Sequence, residues 1–288
     1  MKITIIGLGL IGGSLALDLR ANGFASQLIG VDNHEDHCQK ALQLGLVDEV
    51  LPLELACHEA EIVILAIPVN AIIKTLPQVL ANIADNAVVI DMGSTKSEIA
   101  RSLEGEVLRR RTVLAHPMAG TEYSGPEAAV SNLFQHKAAI LCDTDQSDDD
   151  AVLLAERLFK SLFMRLIYME SKDHDQHAAY VSHVSHISSF VLALTVLEKE
   201  KSDLNIFNLA SGGFASTVRL AKSSPQMWRD VYEQNAGNLV DVLDSYLSKM
   251  QAFRDRIAEG DFDQTYAWME EANAIGEIVD RLNKPILK

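Results

Sequence analysis

Short apolar runs alternate with helical patterns through the first 170 residues of the chain. Seven runs stand out: KITII, QLIGVD, EIVILAIP, AVVIDMG, TVLAHP, KAAILCD and MRLIYME. Runs of about five residues separated by helices of ten or more are typical of parallel βαβ units. The pattern therefore predicts a doubly wound, mostly parallel α/β sheet of seven or eight strands over residues 1–170.

The strand signals stop after Glu170. Residues 177–200 and 227–260 carry apolar side chains at steps of three and four, which is typical of amphipathic helices. We therefore predict an all-helical second domain over residues 171–288. A helical unit with so many apolar positions often needs a partner surface, so we expect it to form a homodimer.

Charge and apolar content narrow the possible partners. The chain has 40 acidic and 25 basic side chains, a net charge of −15, which argues against nucleic acid as a ligand. No uninterrupted run of about 18 apolar residues occurs, and the start MKITIIGLG leads directly into a glycine-rich turn. We therefore expect a cytoplasmic protein with neither an export signal nor a membrane span.

The three cysteines do not suggest a disulfide or a metal site. Cys38, Cys57 and Cys142 are odd in number, widely spaced and contain no Cys-x-x-Cys pair. We predict that they are ordinary small apolar residues and that the protein holds no metal.

The stretch GLGLIGGS directly follows the first predicted strand and opens a helix. Gly7 permits a sharp turn, Gly9 lets the backbone approach a pyrophosphate, and Gly12 allows the helix to pack closely on the strand. Leu10 and Ile11 begin that helix, where free amides can donate to phosphates. The turn predicts a dinucleotide site in a Rossmann-type sheet, although methyltransferases and flavoproteins share parts of the pattern.

Asp32 ends the second predicted strand, twenty residues after Gly12. Its carboxylate can accept hydrogen bonds from both ribose hydroxyls of the adenosine and would repel a 2′-phosphate, and no arginine follows in DNHEDH. This favours NAD over NADP as the cofactor of a dehydrogenase. The alternative is that Asp32 caps the helix that begins near HEDHCQK.

His116 lies in LAHPMAGTEYSG, at the end of a strand where doubly wound sheets place their ligands. A histidine suits the removal of a hydroxyl proton as hydride leaves the same carbon, although His116 can instead bond to its own loop.

In DMGSTKSEI, Thr95 and Glu98 have capping-box spacing. This leaves Ser94 as a candidate partner of the substrate or of the histidine, or as a plain turn residue.

Four of the nine histidines fall in HDQHAAYVSHVSH, residues 174–186. On an α-helix His183 and His186 project away from His174 and His177, so four metal ligands do not converge. Ser182, His183 and His186 share an arc of about 100°, which suggests a polar patch over a substrate. The alternative for each histidine is a core residue with one satisfied hydrogen bond.

Arg219 lies between the glycine pair at 212–213, which interrupts the helical pattern, and Ser224 with Pro225, which have N-cap and N1 chemistry. The planar guanidinium of Arg219 suits a carboxylate and is one of few positive groups in an acidic chain. The alternative is an arginine on the surface of a helix.

Together these segments resemble the prephenate and arogenate dehydrogenase family of tyrosine biosynthesis, in its monofunctional form. The motifs GLGLIGGS, DMGSTK, HPMAGTEYSG, AYVSHVSH and GGFASTVRLAKSSPQMWRD occur in the family's order over essentially the entire chain. The resemblance implies NAD-dependent oxidative decarboxylation of prephenate to 4-hydroxyphenylpyruvate, or of arogenate to tyrosine. It favours prephenate and places any feedback inhibition by tyrosine at the active site.

The resemblance also implies roles for individual residues. His116 matches the catalytic histidine that takes the proton of the 4-hydroxyl, and Ser94 matches the serine that orients this pair. The substrate side is matched by Ser182, His183 and His186, with Arg219 as the arginine that grips the substrate carboxylate. Glu122 and Glu127 can either meet the ammonium of arogenate or pair with Arg219, so Glu127 is also a candidate substrate-binding residue.

Two other classes fit parts of the sequence. A 3-hydroxyacid dehydrogenase also has a nicotinamide domain followed by helices, but this chain lacks a convincing Gly-x-x-x-Lys helix. An NAD-sensing regulator would use its second half to bind protein or DNA, and the acidic balance argues against DNA.

Overall fold

The computed structural model describes residues 1–201 and 205–283. It contains two compact units, Met1–Asn235 and Ala236–Lys288. The strands are β1 Lys2–Ile6, β2 Gln27–Val31, β3 Glu49–Val50, β4 Ile62–Leu65, β5 Val88–Asp91, β6 Thr112–Pro117, β7 Ala138–Cys142 and β8 Arg165–Met169. The α-helices of the first unit are α1 Leu10–Ala21, α2 Glu35–Gln43, α3 Leu53–His58, α4 Val69–Asn82, α5 Ser97–Ser102, α6 Asp149–Ser161, α7 Ser171–Ala178, α8 Val184–Glu200, α9 Gly212–Thr217 and α10 Pro225–Gln234.

The eight strands form one sheet in the order β3-β2-β1-β4-β5-β6-β7-β8. All neighbouring pairs are parallel except β6 and β7. This confirms the predicted doubly wound, mostly parallel sheet. The order reverses between β1 and β4, and in such sheets ligands bind outside the carboxyl ends of the strands at this point.

The central strands are buried along their whole length because both faces of the sheet are covered, and most of their residues are apolar. β4, β5 and β6 are buried at every position. One core cluster lies on the face of α1 and α6, and a second lies on the face of α3, α4 and α5. The buried cysteines are free and belong to this packing; burial raises the pKa of Cys57 to about 11 and that of Cys142 to about 12.

The antiparallel strand β7 was not predicted as such. A parallel neighbour needs a crossover connection, usually an α-helix. Residues 118–137 contain only a short 3₁₀-helix, Pro126–Ala128, so the chain returns beside β6 in the opposite direction. β8 then follows α6 and is parallel to β7.

The prediction of an all-helical second half is confirmed for the residues that the structure describes, since no strand follows β8 in them. α7 and α8 join through a π-type turn, Ala179–His183, into one helix of 30 residues. By length and composition alone this helix could cross a membrane: an 18-residue window has a mean hydropathy of 1.4, and 11% of it is buried. The search for an uninterrupted apolar run missed it because polar residues are interspersed.

In the unit Ala236–Lys288, the described residues up to 283 form three helices, α11 Ala236–Glu259, α12 Phe262–Asn273 and α13 Ile275–Asn283. α11 and α12 pack through the ring of Trp268, which contacts Phe253 and lies 3.4 Å from the Arg256 guanidinium. Several large apolar side chains of this unit are exposed: Val240, Leu247, Met250, Ile257, Phe262, Met269, Ile275, Ile278 and Val279. These compact units divide the chain after Asn235, and the domain boundary near residue 170 stays a prediction.

Candidate active site

A cavity of about 530 Å³ opens at the carboxyl ends of β1, β4, β5 and β6. Its wall joins the glycine turn, the loop after β6 and the helical segments around α8 and α10. Predicted site residues that line it are Gly9, Leu10, Ile11, Ser94, His116, Ser182, His186 and Arg219. The structure thus brings into one cavity residues that lie up to 210 positions apart in the sequence (219 − 9).

The glycine turn has the backbone geometry that a dinucleotide cradle requires. Gly7 adopts φ +98°, and a Cβ there would lie 2.4 Å from the Ala66 carbonyl oxygen. A Cβ on Gly12 would lie 1.9 Å from the Gly7 carbonyl oxygen, whereas one on Gly9 would meet nothing within 4 Å. The turn is therefore closed toward the protein and open toward the cavity, which fits an incoming pyrophosphate at the start of α1.

Asp32 links the glycine turn to the second strand. Its carboxylate accepts hydrogen bonds from the backbone amides of Leu8 and His34, both at 2.9 Å. His37 Nδ1 lies 3.4 Å from the same carboxylate. α2 begins after His34 and has no side-chain cap, so the capping alternative for Asp32 is wrong. Asp32 is held beside the cradle with lone pairs left for a ribose.

His116 lies on β6 and is 8% exposed, with its ring at the cavity wall. Burial, together with nearby His174 and Lys96, lowers its pKa well below the ordinary value of 6.5. The imidazole is therefore neutral at pH 7 and ready to accept a proton. Ser94, in the turn after β5, borders the same cavity, and its predicted role in orienting the histidine and the substrate hydroxyl stays a prediction.

Lys96 is a buried residue that the sequence interpretation passed over. It is completely buried, and its ammonium donates to the Asp91 carboxylate and, at 2.8 Å, to the Ala115 carbonyl next to His116. A buried lysine is tolerated when it is paired in this way. The ion pair fixes the ends of β5 and β6 relative to one another, beneath the base.

The predicted capping box of Thr95 and Glu98 is wrong. α5 begins at Ser97, and the Thr95 hydroxyl instead donates to Gln234 at 2.6 Å. The first amides of α5 are satisfied by a residue 78 positions away, because Asp175 accepts from Lys96 N and Ser97 N, both at 2.8 Å. A long-range carboxylate has replaced the local cap.

His174, to which no role was assigned from the residue pattern, contacts His116. His174 Nε2 lies 2.8 Å from His116 Nδ1, and His174 Nδ1 lies 2.8 Å from the Asp175 carboxylate. The histidine spacing alone did not show this, since the contact joins α7 to β6. The motif HD at 174–175 was the only local signal.

The π-type turn changes the angles assumed for the histidines. It absorbs one extra residue, which rotates the following side chains by about 100° relative to an uninterrupted α-helix. His183, at the end of that turn, is 1% exposed and bonded to Asn235 at 3.1 Å, and it does not line the cavity, although Ser182 and His186 on the same predicted arc do. The structure therefore does not support the predicted contact of His183 with substrate; its ring packs edge-on against Trp228.

The outer wall consists of His186 and Trp228, whose ring centroids lie 3.7 Å apart. Trp228 belongs to α10, which starts as predicted with Ser224 accepting from Met227 N and Pro225 in the first position. Asn70, at the start of α4, bonds to α10 through Gln234 at 2.7 Å and Glu233 at 3.0 Å. These bonds set the distance between the helical wall and the strand ends.

Arg219 reaches the cavity from a 3₁₀-helix, Arg219–Lys222, and pairs with the Glu122 carboxylate at 2.9 Å. The pKa of Glu122 is lowered by its own backbone amide and by Arg219. Of the two candidate glutamates, Glu122 is therefore the one that pairs with Arg219. Glu127 lies elsewhere: it is exposed, faces Lys40 at 3.6 Å and does not line the cavity, so the structure does not support its predicted contact with substrate.

Acid is expected to destabilise the protein through His183. Burial lowers its pKa to about 4, whereas an unfolded histidine titrates near 6.5. The unfolded chain therefore binds the proton first, and stability present above pH 6.5 is lost as the pH falls toward 4. Between pH 7 and 5 we expect a loss of about 2 kcal/mol from this residue, measured by urea unfolding.

The control for this pH effect is the exposed His177 on the same helix. His177→Gln should leave the pH slope of stability as it is in the natural protein. A natural protein that unfolds at the same urea concentration at pH 7 and pH 5 would contradict the assignment.

Among residues 1–201 and 205–283, no group of three or more His, Cys, Asp or Glu side chains can hold a metal ion. A dinucleotide cradle that shares one cavity with a neutral base defines the class of the protein: an oxidoreductase of the dehydrogenase type.

Comparison with known proteins identifies the family within that class. The family description "Prephenate dehydrogenase, nucleotide-binding domain" matches residues 15–168, and "Prephenate dehydrogenase, dimerization domain" matches residues 170–271. The chain belongs to the prephenate dehydrogenase family, as its motifs suggested. Tyrosine biosynthesis is the setting of this family.

Relatives and solved structures cover nearly the whole chain. The chain is 31% identical over 282 residues to the prephenate dehydrogenase of Bacillus subtilis, covering 94% of this chain and 75% of the relative. It is 30% identical over 272 residues to the cyclohexadienyl dehydrogenase of Zymomonas mobilis, covering 94% and 93%. These relatives differ in the substrate that their names give.

Two solved structures of similar proteins likewise carry the names of two different substrates, prephenate and arogenate. The prephenate dehydrogenase of Aquifex aeolicus, in complex with hydroxyphenyl propionate and NAD⁺, has a TM-score of 0.86 at 28% identity and covers 97% of this chain and 98% of its own. The arogenate dehydrogenase of Synechocystis has a TM-score of 0.76 at 28% identity and covers 97% and 100%. Both resemble this chain over both of its halves.

Proposed function

We propose that this protein catalyses the NAD-dependent oxidative decarboxylation of prephenate to 4-hydroxyphenylpyruvate. The observation that carries the proposal is that one cavity joins the open glycine turn, a buried neutral base and a carboxylate-binding arginine. Aromatisation of the ring supplies the driving force, so the protein has to bind, orient and deprotonate the substrate rather than activate it strongly.

The chain's own residues divide this work between two walls of the cavity. His116 takes the proton of the 4-hydroxyl, and Ser94 borders the same position from β5. Arg219 binds a substrate carboxylate and so sets the ring against the histidine. Trp228 and His186 cover the ring and exclude water.

Gly9, Leu10 and Ile11 would hold the pyrophosphate of the cofactor, and Asp32 would hold its adenosine ribose. The nicotinamide, when bound, accepts the hydride from the carbon that bears the 4-hydroxyl. The bound cofactor in the Aquifex aeolicus relative supports NAD as the dinucleotide.

Arogenate is the second candidate substrate, because Glu122 lies in the cavity beside Arg219. Its carboxylate can meet the ammonium group that arogenate carries in place of the keto group of prephenate. The measurement that separates the two is kcat/KM for each substrate with saturating NAD. A higher kcat/KM for prephenate supports the proposal, and a higher value for arogenate overturns the choice of substrate while keeping the class of reaction.

Asp32→Ala is expected to erode the preference for NAD. The carboxylate accepts hydrogen bonds from the ribose hydroxyls of NAD and repels the 2′-phosphate of NADP. Its removal therefore weakens the binding of NAD and removes the repulsion of NADP. We expect the ratio of kcat/KM for NAD to that for NADP to fall by about tenfold or more, because a hydrogen bond to a charged group contributes about 1.5–3 kcal/mol. Asp36→Ala on the adjacent exposed helix is the control, and an unchanged ratio in Asp32→Ala would refute the role.

We also propose that the protein is a homodimer through its helical half. The family's dimerization domain covers residues 170–271, and the α7–α8 helix leaves Val191, Leu194 and Leu197 exposed. A second copy covering these side chains would bury apolar surface that a single chain leaves in water. Sedimentation should give twice the 31.6 kDa mass of the chain.

A further inference from the structure

His116 does not stand alone behind the cavity. Its Nδ1 atom lies 2.8 Å from His174 Nε2, and both rings are buried, His174 to 1% exposure. The two rings meet edge to face, with an interplanar angle of 67°. His174 therefore contacts the side of His116 opposite the ring nitrogen Nε2.

His174 in turn contacts a carboxylate. His174 Nδ1 lies 2.8 Å from Asp175 Oδ1, and the same carboxylate accepts from the amides of Lys96 and Ser97. Burial alone would raise the pKa of Asp175, but the hydrogen bonds from His174 and Ser97 outweigh it, and the pKa is lowered. Asp175 is therefore ionised, and an ionised carboxylate only accepts.

The direction of each hydrogen bond follows from that carboxylate. Because Asp175 accepts, His174 Nδ1 carries the proton of the neutral ring, and His174 Nε2 is left as an acceptor. His116 Nδ1 must then donate to it. In the neutral His116 ring, this leaves Nε2 without a proton.

We propose that His174 and Asp175 are positioning residues, which hold His116 in the tautomer whose Nε2 atom is the base. The part of this inference that concerns the substrate hydroxyl rests on the proposed function. The role corresponds to that of a group that orients a catalytic histidine and stabilises its cation, here supplied by a second histidine and a carboxylate in series.

The charges around His116 support the same role. From β5 and the following turn it faces Asp91 and Lys96, which pair with one another, and from the π-type turn it faces His183. α7 contributes His174 and, behind it, Asp175. Lys96 and burial oppose the protonation of His116, and Asp175, behind His174, supplies a negative charge that favours its cation once it has taken the proton.

An ordinary core histidine would need only one satisfied bond. His174 instead uses both nitrogens in line, one toward the base and one toward a carboxylate that the start of α5 holds in place. Asn235 also donates to the Asp175 carbonyl at 2.8 Å, which fixes the backbone at this point. These bonds hold His116, His174 and Asp175, together called the relay, in one geometry before any ligand binds.

The direct test is the tautomer of His116 in the resting protein at pH 7. Nitrogen NMR of the imidazole rings distinguishes a protonated from an unprotonated Nε2, and the signals missing from His116→Asn assign the residue. We expect Nδ1 protonated and Nε2 unprotonated, with the same result in the exposed control His177→Gln. A proton on Nε2 of His116 in the natural protein would overturn the proposal. The measurement needs neither cofactor nor substrate, so it stands apart from the proposed function.

Kinetics of two variants separate positioning from packing. His174→Gln can accept from His116 with its carbonyl and donate to Asp175 with its amide, whereas His174→Leu fills the space without either bond. We expect kcat to fall about a hundredfold in His174→Leu and less than about tenfold in His174→Gln, with KM changed less than about threefold in both. Equal losses in the two variants, or no loss in His174→Leu, would contradict the relay.

Discussion

Replacing His116 with asparagine is expected to lower kcat by about a hundredfold or more while KM for the substrate changes little. Asparagine is close to histidine in size and keeps a polar group in the wall, but it cannot take the hydroxyl proton. Removing a general base typically costs about 10²–10⁴ in rate. Steady-state kinetics with saturating NAD measure the effect.

A matched control exists on the same unit. His136 is exposed and adopts φ +63°, a conformation that asparagine tolerates well, so His136→Asn should leave kcat unchanged. The pH profile gives a second check, because burial holds the pKa of His116 well below 6.5. The base is active above that pKa, so kcat/KM should not fall as the pH is lowered through 6.5. A His116→Asn enzyme that turns over at the natural rate would remove the histidine from the chemistry.

Arg219→Gln is expected to raise KM for the substrate by about tenfold to a hundredfold with a much smaller change in kcat. Hydrogen bonds between charged groups contribute about 1.5–3 kcal/mol, and the substrate carboxylate loses its partner. The change also leaves Glu122 without the guanidinium that now lies 2.9 Å away, so an unpaired negative charge repels the incoming anion.

Arg229→Gln is the control for this change, since Arg229 is exposed on α10 and does not line the cavity. Its KM should equal that of the natural protein. Equal KM values for Arg219→Gln and the natural protein would refute the role of Arg219 in binding a carboxylate. A loss confined to kcat would place Arg219 in the chemistry instead.

The parts of the fold that depend on local spacing could be predicted from the sequence. β6 runs over Thr112–Pro117, as the run TVLAHP indicated, and the glycine turn has the backbone that its spacing required. Ser224 and Pro225 begin α10 as predicted. In each case the determining contacts lie within a few residues of one another.

The parts of the fold and of the site that depend on contacts between distant residues could not be predicted from the sequence. Thr95 is drawn to Gln234, and Asp175 caps α5 from another helix, so a correct local pattern gave a wrong cap. The contact of His174 with His116 spans 58 residues. His183 likewise lies in the interior beside Asn235, 52 residues away in the sequence, and no residue pattern in AYVSHVSH predicts the π-type turn that ends there.

We infer that one cavity joins a dinucleotide cradle, a base and a carboxylate site for the oxidation and decarboxylation of a cyclohexadiene. The most direct measurement is to mix the purified protein with NAD and prephenate and follow reduced cofactor, carbon dioxide and 4-hydroxyphenylpyruvate together. We expect the three products to appear in equal amounts and His116→Asn to slow the formation of all three alike. Absence of cofactor reduction with prephenate, and again with arogenate, would contradict it.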